Sequence, residues 1–189
     1  MEFHAWINPY RAEFSIGKSS IAPDNLLKTK PHLFIAYGTK RYFNPAKKEV
    51  QQHLINVVAD IVKRYDVDAI HMDDYFYPYP EGGKPFPDDK DYVASGTSLS
   101  KGDWRRANVD SMIINLNDAI KNIKPWVKFG ISPFSVWRND SQDTQGSDSK
   151  AGITNYDDLY ADILLWLRKG WIDYVTPQLY REIGDNLIA

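Results

Sequence analysis

At residues 68–80 the chain reads Asp68-Ala69-Ile70-His71-Met72-Asp73-Asp74-Tyr75-Phe76-Tyr77-Pro78-Tyr79-Pro80. A short apolar segment leads directly into two acids, and aromatic residues and prolines follow at once. A strand usually ends in small polar turn residues, whereas this one ends in ionisable groups and flat rings. The segment therefore predicts a buried strand with candidate catalytic and ligand-binding residues at its carboxyl end.

Three further segments end in the same way, at residues 4–11, 127–138 and 174–182. Each is a short β-rich run followed by polar and aromatic residues near a proline. Amphipathic helices are predicted between these strands from the spacing of their apolar residues.

The boundaries of these helices can be predicted from capping residues. The first is predicted to begin at Asn44, a good N-cap residue. The second runs from near Asp103 to just before Pro125, which stops it. The third begins in the capping pattern at residues 154–157 and ends at Gly170.

Alternating strands and helices predict an α/β fold, with a parallel sheet covered by helices. A doubly wound sheet and a (β/α)8 (TIM) barrel both fit. The barrel is favoured because every predicted strand carries candidate site residues at its carboxyl end. A whole barrel needs about 250 residues, and this chain has 189. We expect residues 1–189 to form one partial barrel of about four strand-helix units, truncated at both ends.

Composition narrows the function classes. The net charge of −2 gives no electrostatic case for nucleic acid, and no apolar run is long enough for membrane insertion. The absence of cysteine excludes disulfides and thiolate chemistry. We predict no cofactor. A partial barrel exposes two sheet edges, and such edges favour self-association.

The two adjacent acids are the main candidates for catalysis. Side chains alternate along a strand, so His71 and Asp73 share one face, which we expect to be the barrel interior. Asp74 is the first loop residue, and its direction depends on whether the strand bends. Capping of the following turn is the alternative role for either acid. Glycoside hydrolysis needs a carboxylate pair, and Glu182 is the third catalytic candidate.

Aromatic rings and hydrogen-bonding side chains at the strand ends are suited to holding sugars. Arg11 and Arg138 could bind a carboxylate substituent, although arginines near loops usually face water. The candidate substrate-binding residues are Trp6, Asn8, Tyr10, Arg11, His71, Tyr75, Tyr77, Ser132, Trp137, Arg138, Gln178 and Tyr180.

A metal site is the alternative to the carboxylate pair. His71 and the two acids beside it include suitable ligands. The remaining histidines, His4, His32 and His53, show no paired ligand spacing. We therefore predict that the site holds no metal.

Four blocks of the chain, within residues 4–12, 71–78, 130–139 and 171–178, resemble the bacterial glycosyl-hydrolase-like family 10. The resemblance implies a (β/α)8 barrel that hydrolyses glycans, with cell-wall glycan strands as one substrate class. It implies a parent protein that is exported, in the periplasm, lipid-anchored or in the cell envelope. Arg181 stands where the family usually has an aromatic residue. The matching site positions are Asn8, Arg11, His71, Asp73, Asp74, Ser132, Trp137, Arg138, Gln178 and Tyr180.

Two mechanisms remain open. In one, Asp73 is the nucleophile or base, and Glu182 or a residue outside the chain is the acid. In the other, Asp73 and Asp74 form a pair that acts on a 2-acetamido sugar, one orienting the acetamido group and one donating the proton. A non-catalytic carbohydrate-binding module that uses the same rings is the alternative function. We expect the 189-residue chain itself to be inactive, because half a barrel cannot assemble a closed site.

Overall fold

The computed structural model describes residues 1–18, 20–180 and 182. The strands are β1 (His4–Ile7), β2 (Arg11–Glu13), β3 (Phe34–Tyr37), β4 (Lys40–Phe43), β5 (Ala69–Met72), β6 (Lys128–Ile131) and β7 (Tyr174–Val175). The α-helices are α1 (Leu26–Thr29), α2 (Lys48–Arg64), α3 (Asp89–Ser95), α4 (Lys101–Ile123) and α5 (Ile163–Lys169). A short 3-10 helix spans Pro31–Leu33.

The main sheet contains four parallel strands in the order β1-β5-β6-β7. Helices α2, α4 and α5 lie in the connections between them. Each new strand is added at the same edge, in chain order, whereas a doubly wound sheet reverses its strand order part-way. The predicted α/β fold of parallel strands alternating with helices is confirmed, and its topology is that of an open section of a (β/α)8 barrel.

One face of the main sheet packs on the helices and forms the core. Ile70 and Met72 of β5 and Phe129 and Ile131 of β6 have no exposed surface. Helices α2 and α4 pack against each other over this face. Their buried apolar residues are Val50, Leu54, Val58, Val62, Trp104, Val109, Met112, Ile113, Leu116 and Ile120.

The opposite face of the sheet carries polar and aromatic side chains. Strand register places Trp6, His71, Gly130 and Tyr174 side by side across the four strands. Because side chains alternate, His71 lies on the face opposite Ile70 and Met72, as predicted. The candidate site residues lie at the carboxyl ends of these strands.

Two predicted helix starts are corrected by the structure. Helix α2 begins at Lys48, because the Asn44 side chain accepts the N–H of Ala46 in the preceding turn and donates to Asp91. Helix α5 begins at Ile163, well after residues 154–157. The prediction for α4 lies within two or three residues of its observed bounds.

A second, three-stranded antiparallel sheet in the order β2-β4-β3 lies between β1 and α2 in the chain, and it was not predicted. Tyr37 at the end of β3 accepts the N–H of Glu81 at 2.8 Å and donates to the carbonyl of Lys84 at 2.5 Å. These bonds join the small sheet to the loop that follows the two acids. Within the described ranges, no helix has the length and apolar character needed to cross a membrane.

The outer edge of β1 pairs with no strand among the residues that the structure describes. Beside it lies an apolar cavity of about 420 Å³, lined by Phe3, Ala5, Ile61, Tyr65, Asp66 and Val67. An unpaired strand next to exposed apolar surface is a template for pairing with another chain.

We expect the 189-residue chain to self-associate through this edge in sedimentation experiments at micromolar concentrations. Phe3→Asp adds a charge at the edge and should shift the chain toward monomer. Phe14→Asp is the matched control, because Phe14 is equally exposed (65% against 64%) but lies after β2. A wild-type chain that stays monomeric, or equal effects of the two substitutions, would contradict pairing at this edge.

Candidate active site

Four residues lie together where the parallel strands of the main sheet end: Asn8, Asp73, Ser132 and Gln178. The Asn8 amide donates to Oδ2 of Asp73 at 3.3 Å. The Gln178 amide donates to the backbone carbonyl of Ser132 at 2.8 Å. Active sites of parallel α/β barrels are built at this end of the strands, from residues on several strands.

Asp73 is a buried carboxyl group among these strand ends, with 6% of its surface exposed. Burial raises its pKa to about 6, against the opposing effect of the hydrogen bond from the Tyr75 N–H. The negative charge of Asp74 raises this pKa further, and the Arg11 cation and the Asn8 amide lower it. A carboxyl group with a pKa near neutral pH can both donate and accept a proton under physiological conditions.

Asp74 is a second buried acid beside the first, with 2% of its surface exposed. The Tyr79 hydroxyl donates a hydrogen bond to its Oδ2. Burial and this hydrogen bond raise the pKa of Tyr79 above its usual value, so the phenol stays protonated. The two acids therefore stand in different environments, which is how neighbouring carboxyl groups acquire separate roles.

A cationic and aromatic wall flanks Asp73. The Arg11 guanidinium carbon lies 5.1 Å from the ring centre of Tyr75 and 5.5 Å from that of Phe14. Lys40 lies 5.7 Å from the Phe14 ring centre. Within the described part of the chain, the Arg11 side chain makes no hydrogen bond or ion pair, so its charge is available to a ligand.

A cavity of about 410 Å³ lies on the side of Asp74. Its lining residues are Tyr79, Phe134, Ser135, Gln178 and Tyr180. Tyr79 meets Phe134 edge to face and also meets Tyr75, so the rings form a continuous wall past both acids. Rings with a few polar groups are typical of sites that bind sugars.

Two predicted ligand contacts are corrected by burial. Tyr10 and Tyr77 have 0% and 1% of their surface exposed and belong to the apolar core. Tyr77 packs edge to face against Phe86 and Tyr160. A ring enclosed in this way cannot touch a sugar, so both residues support the site from inside.

Trp137 and Arg138 are held by residues of the chain itself. The Trp137 indole N–H donates to Asp162 at 3.1 Å. Arg138 pairs with Asp157 at 2.9 Å and with Asp143 at 3.2 Å. Arg138 was a candidate for binding a carboxylate substituent of the ligand, but in the structure it is paired with two carboxylates of the loop that follows β6.

The remaining predicted residues lie around the edge of the site. Trp6 is 69% exposed and meets His71 edge to face at 6.3 Å. Tyr180 and Glu182 are exposed. Arg181, the departure from the family pattern, lies outside the described residues. No group of three or more potential metal ligands lies together within residues 1–18, 20–180 and 182.

Comparison with known proteins gives this geometry a context. The family model described as Glycosyl hydrolase-like 10 matches residues 1–187. The chain belongs to glycosyl hydrolase-like family 10. It is 45% identical to the glycosyl hydrolase YngK of Bacillus subtilis, over 100% of this chain and 38% of that protein. It is 37% identical to the glycosyl hydrolase DigH of Escherichia coli K12, over 95% of this chain and 43% of that protein.

The chain therefore spans about two fifths of the length of these curated relatives. Among solved structures, the GH36 α-galactosidase AgaA of Geobacillus stearothermophilus aligns at a TM-score of 0.42 and 12% identity, over 70% of this chain and 17% of that one. The α-L-fucosidase isoenzyme 2 of Paenibacillus thiaminolyticus aligns at a TM-score of 0.39 and 18% identity, over 57% of this chain and 18% of that one.

The structure adds site residues that the sequence did not single out. Tyr79 covers Asp74, Phe134 lines the adjacent cavity, and Phe14 flanks Arg11. Phe14 belongs to the second sheet region, which had no strand prediction. The signal for Tyr79 was the density of rings after the acids, but which ring turns back toward Asp74 depends on the path of the loop.

The pKa of Asp73 predicts an unusual dependence of stability on pH. The value rises from 3.8 to about 6, so the folded state binds this proton more tightly than the unfolded chain does. The stabilising contribution is complete below about pH 4 and is lost as the pH rises through about 6. Above that pH the ionised carboxylate destabilises the fold.

We expect Asp73→Asn to raise the free energy of unfolding at about pH 8 by about 2 kcal/mol and to change it little at about pH 4. Urea denaturation at both pH values measures this difference. Asp66→Asn, at an exposed acid before β5, is the control and should show no such pH dependence. A loss of stability at pH 8 in Asp73→Asn would show that the ionised form is favoured by the fold.

Proposed function

We propose that the protein containing this chain is a glycoside hydrolase that acts on a bacterial polysaccharide by carboxylate acid/base chemistry. The observation that carries the proposal is the buried Asp73 at the carboxyl end of β5, with a pKa of about 6 and a second acid beside it. Membership of a glycosyl hydrolase-like family supports the same chemistry. Because the chain covers less than half of its relatives, the activity is proposed for the full-length protein.

We assign the proton donor to Asp73 and the orienting role to Asp74. Asp73 holds a proton up to about pH 6 and can give it to a leaving sugar oxygen. Asp74 keeps one oxygen on the Tyr79 hydroxyl, and this hydrogen bond fixes the direction of its carboxylate. An acid with a fixed orientation next to a proton donor suits the mechanism in which the acetamido group of the substrate attacks its own sugar carbon.

The chemistry around Arg11 supports an acidic, acetamido-bearing glycan, for which the glycan strand of the bacterial cell wall is our candidate. The Arg11 guanidinium carbon lies 5.1 Å and 5.5 Å from two ring centres, and a guanidinium presents its N–H groups in a rigid fork that matches a carboxylate. Sugars that carry both acetamido and carboxylate groups would use Arg11 and the acid pair together. Because such strands lie outside the cytoplasm, we also propose that the full-length protein is exported and is periplasmic, lipid-anchored or in the cell envelope.

The acid assignment is tested by measuring new reducing ends when the full-length protein meets cell-wall glycan. We expect Asp73→Asn and Asp74→Asn each to lower kcat by about 10³-fold. Glu182 is exposed, and Glu182→Gln should stay near the wild-type rate. Near-normal turnover by Asp74→Asn with loss in Glu182→Gln would overturn the pair mechanism. Binding of glycan by the wild-type protein without cleavage would favour a carbohydrate-binding module.

The role of Arg11 is tested by comparing acidic glycan with the same glycan after its carboxyl groups are reduced. We expect Arg11→Gln to raise KM for the acidic form by about tenfold and to leave the reduced form unchanged, because a charge-assisted hydrogen bond is lost. Arg64→Gln is the control, since the Arg64 guanidinium carbon also lies near a ring centre, 5.6 Å from that of Tyr65, but at the end of α2. Equal changes for the two glycans would exclude carboxylate recognition.

A further inference from the structure

Tyr174 connects two histidines across the four strands of the main sheet. Its hydroxyl lies 3.0 Å from Nδ1 of His71 on β5 and 2.8 Å from Nδ1 of His4 on β1. Tyr174 itself belongs to β7, so its ring passes over β6 to reach both. The aromatic ring of Tyr174 stacks on that of His71, with ring centres 5.8 Å apart.

The ring can take this path because Gly130 stands beneath it on β6. Strand register places Gly130 between His71 and Tyr174. A Cβ atom at residue 130 would lie 2.0 Å from Cζ of Tyr174, inside the ring's own volume. Because Gly130 has no side chain, the Tyr174 ring has room to lie over β6, and its hydroxyl reaches the two histidines.

Glu2 determines the direction of the hydrogen bonds that join His4, Tyr174 and His71. Nε2 of His4 lies 3.1 Å from Oε2 of Glu2. The hydrogen bond from His4 and the charge of Lys128 lower the pKa of Glu2, so its carboxylate is ionised and only accepts. A neutral His4 then carries its proton on Nε2 and leaves Nδ1 as an acceptor.

The Tyr174 phenol and His71 hold the other protons of this hydrogen-bonded group. Burial raises the pKa of Tyr174, so the phenol keeps its single proton. That proton goes to Nδ1 of His4, and the Tyr174 oxygen must accept from Nδ1–H of His71. Burial, with the nearby His4, lowers the pKa of His71, so this ring is neutral near pH 7 and its Nε2 carries a lone pair. Nε2 of His71 has no hydrogen-bond partner among the described residues.

We propose that Tyr174 is a positioning residue, which holds His71 in the Nδ1–H form so that Nε2 accepts a hydrogen bond from a substrate hydroxyl one layer below Asp73. The substrate part rests on the proposed function, whereas the form of His71 follows from the hydrogen bonds alone. An imidazole with one nitrogen fixed by a neighbour is the usual way in which a protein selects the reactive nitrogen. A ring that only fills the barrel interior would leave the two forms of His71 in exchange.

The test is nitrogen-15 NMR of the imidazole groups in this chain at about pH 8, above the usual histidine pKa of about 6.5. We expect the wild-type His71 to carry its proton on Nδ1. Tyr174→Phe keeps the ring but removes the hydroxyl, and His71 should move to the Nε2–H form. His71 with its proton on Nε2 in the wild type, or no change in Tyr174→Phe, would overturn the proposal.

A second variant separates hydrogen bonding from packing. In His4→Phe a ring remains beside Tyr174, but the acceptor for its proton is lost. Tyr174 should then donate to Nδ1 of His71, which drives His71 to the Nε2–H form with Tyr174 still in place. An unchanged His71 in this variant would contradict the hydrogen-bond order in which His71 donates to Tyr174 and Tyr174 donates to His4. Tyr65→Phe, at an exposed tyrosine after α2, is the control and should leave both histidines as in the wild type.

Activity of the full-length protein gives an independent readout. We expect Tyr174→Phe to raise KM for the glycan more than it lowers kcat, since His71 binds a hydroxyl and does not transfer the proton. A change of the His71 form with unchanged kinetics would overturn the substrate contact and leave the acid pair intact. A wild-type protein that shows the Nδ1–H form of His71 but cleaves no glycan would contradict the proposed function. It would not contradict the role of Tyr174 in holding that form.

Discussion

Strand β5 is hydrogen-bonded to a parallel neighbour along both of its edges, and its register determines which residues of β1 and β6 lie beside His71. The register places His71 level with Trp6 on one side and Gly130 on the other. Because side chains alternate, a slip of one residue would turn His71 toward the helices and bring Ile70 and Met72 to the interior. The apolar face of β5 against α2 and α4 prevents that slip, so core packing determines the chemistry of the opposite face.

Much of this arrangement could be predicted from the sequence, since it depends on local periodicity. The four parallel strands and the two long helices follow from apolar spacing, and the position of Asp73 follows from alternation along β5. The prediction for α5 started too early, because Thr154 and Asp158 form a turn in which the Thr154 N–H donates to the Asp158 carboxylate. Asp157 is used by Arg138 instead of capping a helix.

The features that were missed depend on contacts between distant parts of the chain. The second sheet is antiparallel, and a register shift interrupts the pairing of β2 with β4. Tyr10 and Tyr77 lie in segments typical of exposed site rings, but both are buried, and Phe86 and Tyr160 from later in the sequence pack against Tyr77. Whether a ring lies inside or outside is decided by layer packing, which no single segment encodes.

The ring of Tyr174 over Gly130 ties two positions of the chain together in evolution and in engineering. A side chain at residue 130 and a large ring at residue 174 occupy the same space, so each limits what the other can be. A lineage that gains a larger residue at 130 must lose the ring at 174 at nearly the same time. The glycine is therefore half of a two-residue unit, and a library that varies residue 130 alone, with the ring kept at 174, samples mostly combinations that clash.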